Sequence, residues 1–175
     1  MFKRVVIAAC LAAYCGGAAA SCPSDTHDAA ALPPFIRPVP GEIVETFGLR
    51  YHPLLNLKKH HSGVDFGSEG GQPLFAAASG RITRAGDEGQ WGIAILMTHQ
   101  DGWQTFYAHL RMVAVRIRSC VKRGDLIGYT GNTGFTVGHI LHFEVRRDDV
   151  PIDPENLLAP VARGDGDGLK PQARA

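Results

Sequence analysis

The 175-residue chain has almost no surplus of positive charge: 18 Lys and Arg stand against 17 Asp and Glu. No basic stripe runs along it, so no nucleic-acid partner is expected. Beyond the first twenty residues there is no long hydrophobic run, and no stretch holds an apolar 3.6-residue period long enough for a substantial helix. Internal repeats and low-complexity tracts are absent between Glu42 and Ala159. Cysteine is scarce, with four residues in all. What remains is ordinary for a globular protein, 45% hydrophobic and 20% charged, and long enough for one domain with a proper core.

The N-terminus has the layout of an export signal. Phe2-Lys3-Arg4 gives a short positive start, Val5 to Tyr14 is almost wholly apolar, and Gly16 to Ala20 are small residues a signal peptidase accepts. The expected cleavage follows Ala20, giving a 1–20 signal; an uncleaved anchor is the alternative. The run is short for a bilayer-spanning helix, so no membrane span is expected once the signal is gone. Cys10 and Cys15 would leave with it. Cys22 and Cys120 then remain, and in an oxidising compartment they can pair. A lipid-modified Cys22 competes with that reading, although the leucine usual three positions upstream is missing.

Residues 21–41 carry five prolines and few bulky side chains, and read as an extended linker. Residues 161–175, rich in Gly, Asp, Arg and Lys, read as a loose tail. Between them, 42–160 forms the domain. Its runs Gly80–Ala85, Ile93–Met97, Trp103–His109 and Leu141–Arg146 are short and β-branched or aromatic. Turn pairs such as Asp101-Gly102, Gly124-Asp125 and Gly131-Asn132 separate them. The expected fold is all-β, a compact antiparallel sandwich or partly open barrel with long loops.

Histidine carries the chemistry. In His61-Ser-Gly-Val-Asp65 an extended chain would put 61, 63 and 65 on one face, with Gly63 leaving room between imidazole and carboxylate. Such a pair suits zinc, or is simply a hydrogen-bonded surface pair. Along Ile140–Arg146 the apolar Leu141, Phe143 and Val145 would face the core. His142 then faces the other way, available to a metal. Glu144 on that face either orients a ligand or is a solvated strand residue.

The string FGLRYHPLLNLKKHHSGVD, from Phe47 to Asp65, resembles the opening of the lysostaphin-type (LytM-like) zinc endopeptidases of peptidoglycan. TFYAHL, VKRGDLIGYTGNTG, LHFEV and the closing Asp153-Pro154 continue the resemblance in order. It implies a compact antiparallel β fold and a Zn²⁺ held by His61, Asp65 and His142. It makes His109 one of two histidines flanking the catalytic water. Three protein ligands leave a tetrahedral ion one open position, whereas a purely structural zinc normally has four. The expected substrate is the peptide part of peptidoglycan. With no obvious wall-targeting domain, a small periplasmic enzyme meeting direct stem-peptide cross-links is expected.

His60 is expected at the surface, His99 in a structural role, and His52 near the site or in a loop hydrogen bond. One position departs from the family pattern H-L-H-F-E. Here the stretch reads Gly138-His139-Ile140-Leu141-His142-Phe143-Glu144, so Ile140 takes the place of the second catalytic histidine. Either the metal site is intact with impaired catalysis, or a local bulge swings His139 into place. The two functions that follow are a zinc endopeptidase of peptidoglycan cross-links, taken as the principal reading, and a non-catalytic relative that binds wall peptides or a partner hydrolase.

Overall fold

The computed structural model describes Cys22, residues 35–52 and residues 57–159, with the side chain of His52 excepted. The signal, residues 23–34 of the linker and the tail lie outside the described residues. Twelve strands follow one another: β1 (Ile43–Glu45), β2 (Gly48–His52), β3 (Leu57–His61), β4 (Val64–Gly67), β5 (Pro73–Phe75), β6 (Gly80–Asp87), β7 (Ile93–Thr98), β8 (Trp103–Val113), β9 (Cys120–Val121), β10 (Leu126–Thr130), β11 (Ile140–Arg147) and β12 (Val150–Ile152). The helical content among the described residues is two 3-10 turns, Gly89–Trp91 and Gln100–Gly102.

All strand pairs are antiparallel. The main sheet runs β1-β4-β11-β8-β7-β6-β9, with β12 beside β11 and β10 bridging β8 to β5. It does not close into a barrel. β2 and β3 form a separate hairpin. The four runs singled out from sequence fall inside β6, β7, β8 and β11. Asp101-Gly102, both at positive φ (54° and 75°), turn β7 into β8, as the Asp-Gly pair suggests.

One face of the sheet is the main core. Leu141, Phe143 and Val145 are fully buried there with Tyr107, Ile95, Phe66 and Leu74. Tyr107 is a polar tie inside it: its hydroxyl accepts from the Ala77 amide and the Thr105 hydroxyl, both at 2.9 Å. Burial pushes the phenol's pKa up to about 12, so it stays a neutral hydrogen-bonding group. A smaller apolar cluster of Ala94, Leu96, Phe106 and Ala108 lies on the opposite face with Trp91 packed against it. Trp91 joins that cluster to the lining of the functional cleft.

The packed domain begins earlier than the sequence suggests. Phe35 and Val39, counted there with the linker, are fully buried, and Phe35 bridges to Leu158. The Pro-rich composition hid two core residues because prolines fix an extended path without excluding apolar side chains from packing.

Cys22 and Cys120 are joined by a disulfide across a separation of 98 residues. A sulfur so engaged cannot also carry a lipid thioether. Closing a loop of this length stabilises by about 3–5 kcal/mol in the chain-entropy model. Replacing both cysteines by serine should therefore lower the melting temperature, and reductant should do the same to the wild type but not to the double variant. Intact mass before and after reduction checks the bond itself.

Candidate metal centre

His61 ends β3 in the small hairpin, Asp65 sits in β4, and His142 sits in β11. The β4–β11 register places His142 opposite Asp65, and the β8–β11 register places it opposite Ala108. The chain therefore does not run straight from His61 to Asp65. It breaks at Ser62-Gly63 between two strands of different sheets, which corrects the picture of 61, 63 and 65 along one extended face. The glycine is required for another reason as well. A Cβ at Gly63 would lie 2.3 Å from the Phe143 carbonyl oxygen and 2.8 Å from Glu144 Cγ. Gly63 lets the turn press against β11.

The three side chains converge. His61 Nε2 lies 3.1 Å from Asp65 Oδ1 and 3.0 Å from His142 Nδ1, and His142 Nδ1 lies 2.7 Å from Asp65 Oδ1. All three residues are buried. The outer nitrogen of each ring is committed elsewhere. His61 Nδ1 donates to the Thr46 carbonyl at 2.8 Å, and His142 Nε2 donates to Glu144 Oε1 at 3.0 Å. In their neutral forms both imidazoles therefore turn a lone pair inward, toward a carboxylate oxygen that also has only lone pairs to offer. That donor set fits a divalent cation with nitrogen and oxygen preferences, zinc among them.

Glu144 is fully buried and is no solvated strand residue. It accepts from Ser62 Oγ, Arg146 Nε and His142 Nε2, and the Arg146 guanidinium lies over the Phe106 ring. Burial by itself would raise the pKa of both buried carboxyls. Hydrogen bonds outweigh it: from His142 and His61 for Asp65, held well below the carboxylate range, and from His142, Arg146 and Ser62 for Glu144, lowered to about 2. For His142, burial would lower the pKa, but bonds to Asp65 and Glu144 outweigh it and raise it above the ordinary 6.5.

His109 comes to the site by a bulge, not by strand alternation. Thr105 and Tyr107, which strict alternation along β8 would put on the same face as His109, are fully buried on the main-core side. Opposite β8, Ile95 pairs with Tyr107 but Ile93 pairs with Leu110, so β8 carries one extra residue. His109 takes it up in the left-handed region at φ 62°, which re-aims its side chain to the cleft. Its Nδ1 donates to the Thr133 carbonyl at 2.8 Å. Nε2 then faces the cleft with a lone pair, its ring centre 6.1 Å from that of His142. Burial, the leading cause, lowers its pKa, which favours the neutral base at pH 7. Thr133 is itself held: its hydroxyl donates to the Leu110 carbonyl and accepts from the Ile93 amide.

Ile140 lines the cleft beside His142. β11 pairs with β4 in unbroken register from Ile140 to Phe143, so no bulge turns His139 inward. His139 is exposed and its ring packs over Gly70. Of the remaining histidines, His60 is exposed against Phe47, as expected, though at the cleft's edge. His99 is structural, bonded to Ser79 O and Thr105 Oγ1. The expectation for the His52 side chain lies outside the described residues. Sequence reasoning missed Trp91, which stacks on His142 at 4.6 Å and 24°, and Arg50, beside Asp65. It also missed Thr46 and Thr133, which act through carbonyl oxygens that no side-chain pattern reveals.

The profile of peptidase family M23 matches residues 59–154, and so spans every one of these cleft histidines, Asp65 and Ile140. The chain belongs to peptidase family M23. It is 36% identical over 119 residues to the DD-carboxypeptidase/endopeptidase Mpg of Neisseria meningitidis serogroup B, covering 68% of this chain and 27% of Mpg. It is 33% identical over 122 residues to the murein hydrolase activator NlpD of Escherichia coli K12, covering 69% of this chain and 30% of NlpD. A zinc-containing peptidase from Vibrio cholerae has the same fold, with a TM-score of 0.64 and 30% identity over 69% of this chain and 39% of that one. The chain thus spans under a third of the length of these curated relatives. The M23 fold is the all-β architecture expected from sequence.

The opposed pKa shifts give the metal-free M23 domain a defined pH window. Glu144, depressed from 4.5, contributes stability that is present above pH 4.5 and lost as pH falls toward about 2. His142, raised from 6.5, contributes stability that is present below 6.5 and lost as pH rises through its folded-state value. Thermal melts in chelator should peak between pH 4.5 and 6.5, and Glu144→Gln should flatten both flanks. A melting temperature that went on rising above that window would contradict the coupling.

Proposed function

We propose that this chain is a zinc-dependent endopeptidase of the peptide cross-links of bacterial peptidoglycan, working outside the cytoplasm. The observation that carries the reading is the convergence of three inward lone pairs, from His61, Asp65 and His142, on a cleft that His109 also faces. Zinc held there would supply a Lewis acid for a peptide carbonyl and bring the pKa of a water toward about 7. Thr46 and Glu144 fix the tautomers of the two ligand rings. His109, kept neutral by burial and oriented by Thr133, can accept a proton and return it to the departing amine. Trp91 covers one face of His142 and keeps water from that side. The relatives' names support a wall substrate. The N-terminal pattern and the Cys22–Cys120 bond support export to an oxidising compartment.

Ile140 supports a second reading, a relative that holds wall peptides or a partner hydrolase without cutting. Digestion of purified sacculi by the chain, with and without chelator and read by mass spectrometry, separates the two. Chelator-sensitive release of cross-link fragments is expected, and its absence at full zinc occupancy would leave the binder.

The metal itself is expected at close to one zinc per chain, with His61→Ala or Asp65→Ala removing most of it. The raised pKa of His142 favours a second proton on its ring, at Nδ1, in the metal-free chain, and zinc binding at that atom would release it. Zinc affinity should accordingly rise with pH through the range above 6.5 and level off beyond the folded-state pKa. Calorimetry in buffers of different ionisation enthalpy should show about one proton released per zinc. No zinc under replete conditions would remove the metal reading.

Position 140 gives a direct test of the active site. Ile140→His should raise sacculus hydrolysis without altering zinc content, because 140 and 142 share a face of β11. A positioned acid or base is worth about 10²–10⁴-fold. The gain should be smaller here, since no neighbour is arranged to hold the new ring. His139→Ala should leave the rate unchanged; loss of activity in that variant would mean that His139 reaches the site after all.

A further inference from the structure

The chemistry proposed above leaves Arg50 without a task. It rises from β2 on the cleft wall, opposite Lys59 in the hairpin. Asp65 divides its oxygens: Oδ1 faces His61 and His142, while Oδ2 faces Arg50 Nη2 at 3.4 Å. That is long for a charge-assisted bond, which closes to about 2.7–2.9 Å. Glu45 is no nearer, with Oε2 at 3.8 Å from Nε. Arg50 Nε and Nη1 are buried and donate to nothing among the described residues. A guanidinium with two unspent N–H groups, one carboxylate's width from the candidate metal, is an incomplete fork. Its shape and charge are complementary to a second carboxylate.

We infer that Arg50 is a carboxylate clamp, which selects peptides whose amino acid on the nitrogen side of the target bond carries a free carboxylate. This inference rests on the wall-peptide reading. The carboxylate would stand three bonds beyond the carbonyl carbon that the metal site addresses. Two kinds of stem peptide meet the condition. One ends in a single amino acid beyond the target bond. The other is a direct cross-link whose nitrogen belongs to a diamino acid with a carboxylate at each end. A glycine bridge does not meet it, since the carbon after the nitrogen leads only to another amide. Lys59 at the same edge of the cleft adds to its attraction for anionic peptides. Glu45 opposes it and sets a limit on the clamp's strength.

The test uses the full exported chain, both zinc-loaded and chelator-treated. Binding is measured by calorimetry, and cleavage by mass spectrometry, for diacetyl-Lys-D-Ala-D-Ala, its C-terminal carboxamide and pentaglycine carboxamide. The free acid should be preferred over the carboxamide by roughly tenfold or more, with pentaglycine carboxamide the poorest. In Arg50→Gln that ratio should fall to about twofold or less. Arg50→Lys should keep part of it, because it retains the charge but loses the fork. Each ratio is internal to one preparation, so partial folding or partial zinc loading of a variant cancels. Glu45→Gln should tighten binding of the acid and leave that of the carboxamide alone. Equal affinity of the wild type for acid and amide, or an unchanged ratio in Arg50→Gln, would overturn the clamp and leave the wall-peptide reading standing. A wild type that takes none of the peptides would overturn both.

Discussion

Three lone pairs aimed at one point repel one another unless something positive stands between them. In this fold that something is a proton or a metal ion. Everything that positions His61, Asp65 and His142 serves to hold them in this otherwise unfavourable arrangement. β11 carries His142 and is hydrogen-bonded on both sides, by β4 and β8. Thr46 and Glu144 take the outer ring nitrogens, so neither imidazole can relieve the crowding by turning its N–H inward. Buried carboxylates are normally costly to keep charged. Here the depressed pKa of Glu144 shows that its three donors outweigh the burial.

The same constraint explains the two layers of the domain. A main core of aliphatic and aromatic side chains on one face of the sheet makes the strands rigid, so that residues on the other face can be held against their own preferences. That other face carries the small apolar cluster around Phe106 and Ala108, and Arg146 and Trp91 join it to the charged network. Arg146 shows how the layers connect. Its guanidinium spans Glu144 and the Phe106 ring, linking the carboxylate that orients His142 to the packing beneath.

Much of this was legible in the sequence, and the part that was not has physical causes. Alternation in Leu141–Val145 gave the core face of β11 and the inward His142, because a strand buried on one side has little freedom of register. Ile140 was placed correctly for the same reason. His109 was put in the cleft by family resemblance; alternation along the strand would have turned it into the core with Thr105 and Tyr107. A bulge adds one residue to the count, and neither Ala108 nor His109 has the glycine that usually announces one. Phe35 and Val39 were missed because composition over a Pro-rich window cannot report two buried side chains. Trp91 and Arg50 belong to segments with no periodicity, a 3-10 turn and a short hairpin, and their role follows only from what the chain folds against.

The conformation of His109 bears on which function the cleft performs. A non-glycine residue in the left-handed region costs about 1–2 kcal/mol, and glycine or asparagine would take the position with less strain. Burial of an imidazole adds a further penalty, since it lowers the pKa and forgoes solvation. A strained, neutral base with its Nε2 lone pair turned to the cleft supports the proposed endopeptidase over a site that only grips a peptide. A site that cuts an amide must take a proton from the attacking nucleophile and deliver one to the departing nitrogen. On the proposed endopeptidase reading, with Ile140 lining the cleft where a second imidazole would be needed, His109 would do both in turn, base first and acid afterwards. A neutral imidazole with a pKa below the ordinary value accepts the first proton less eagerly but gives it up readily in the second step. The proposed hydrolase would accordingly work with one histidine, proton delivery to the amine being the easy half of its cycle and proton removal the slow one.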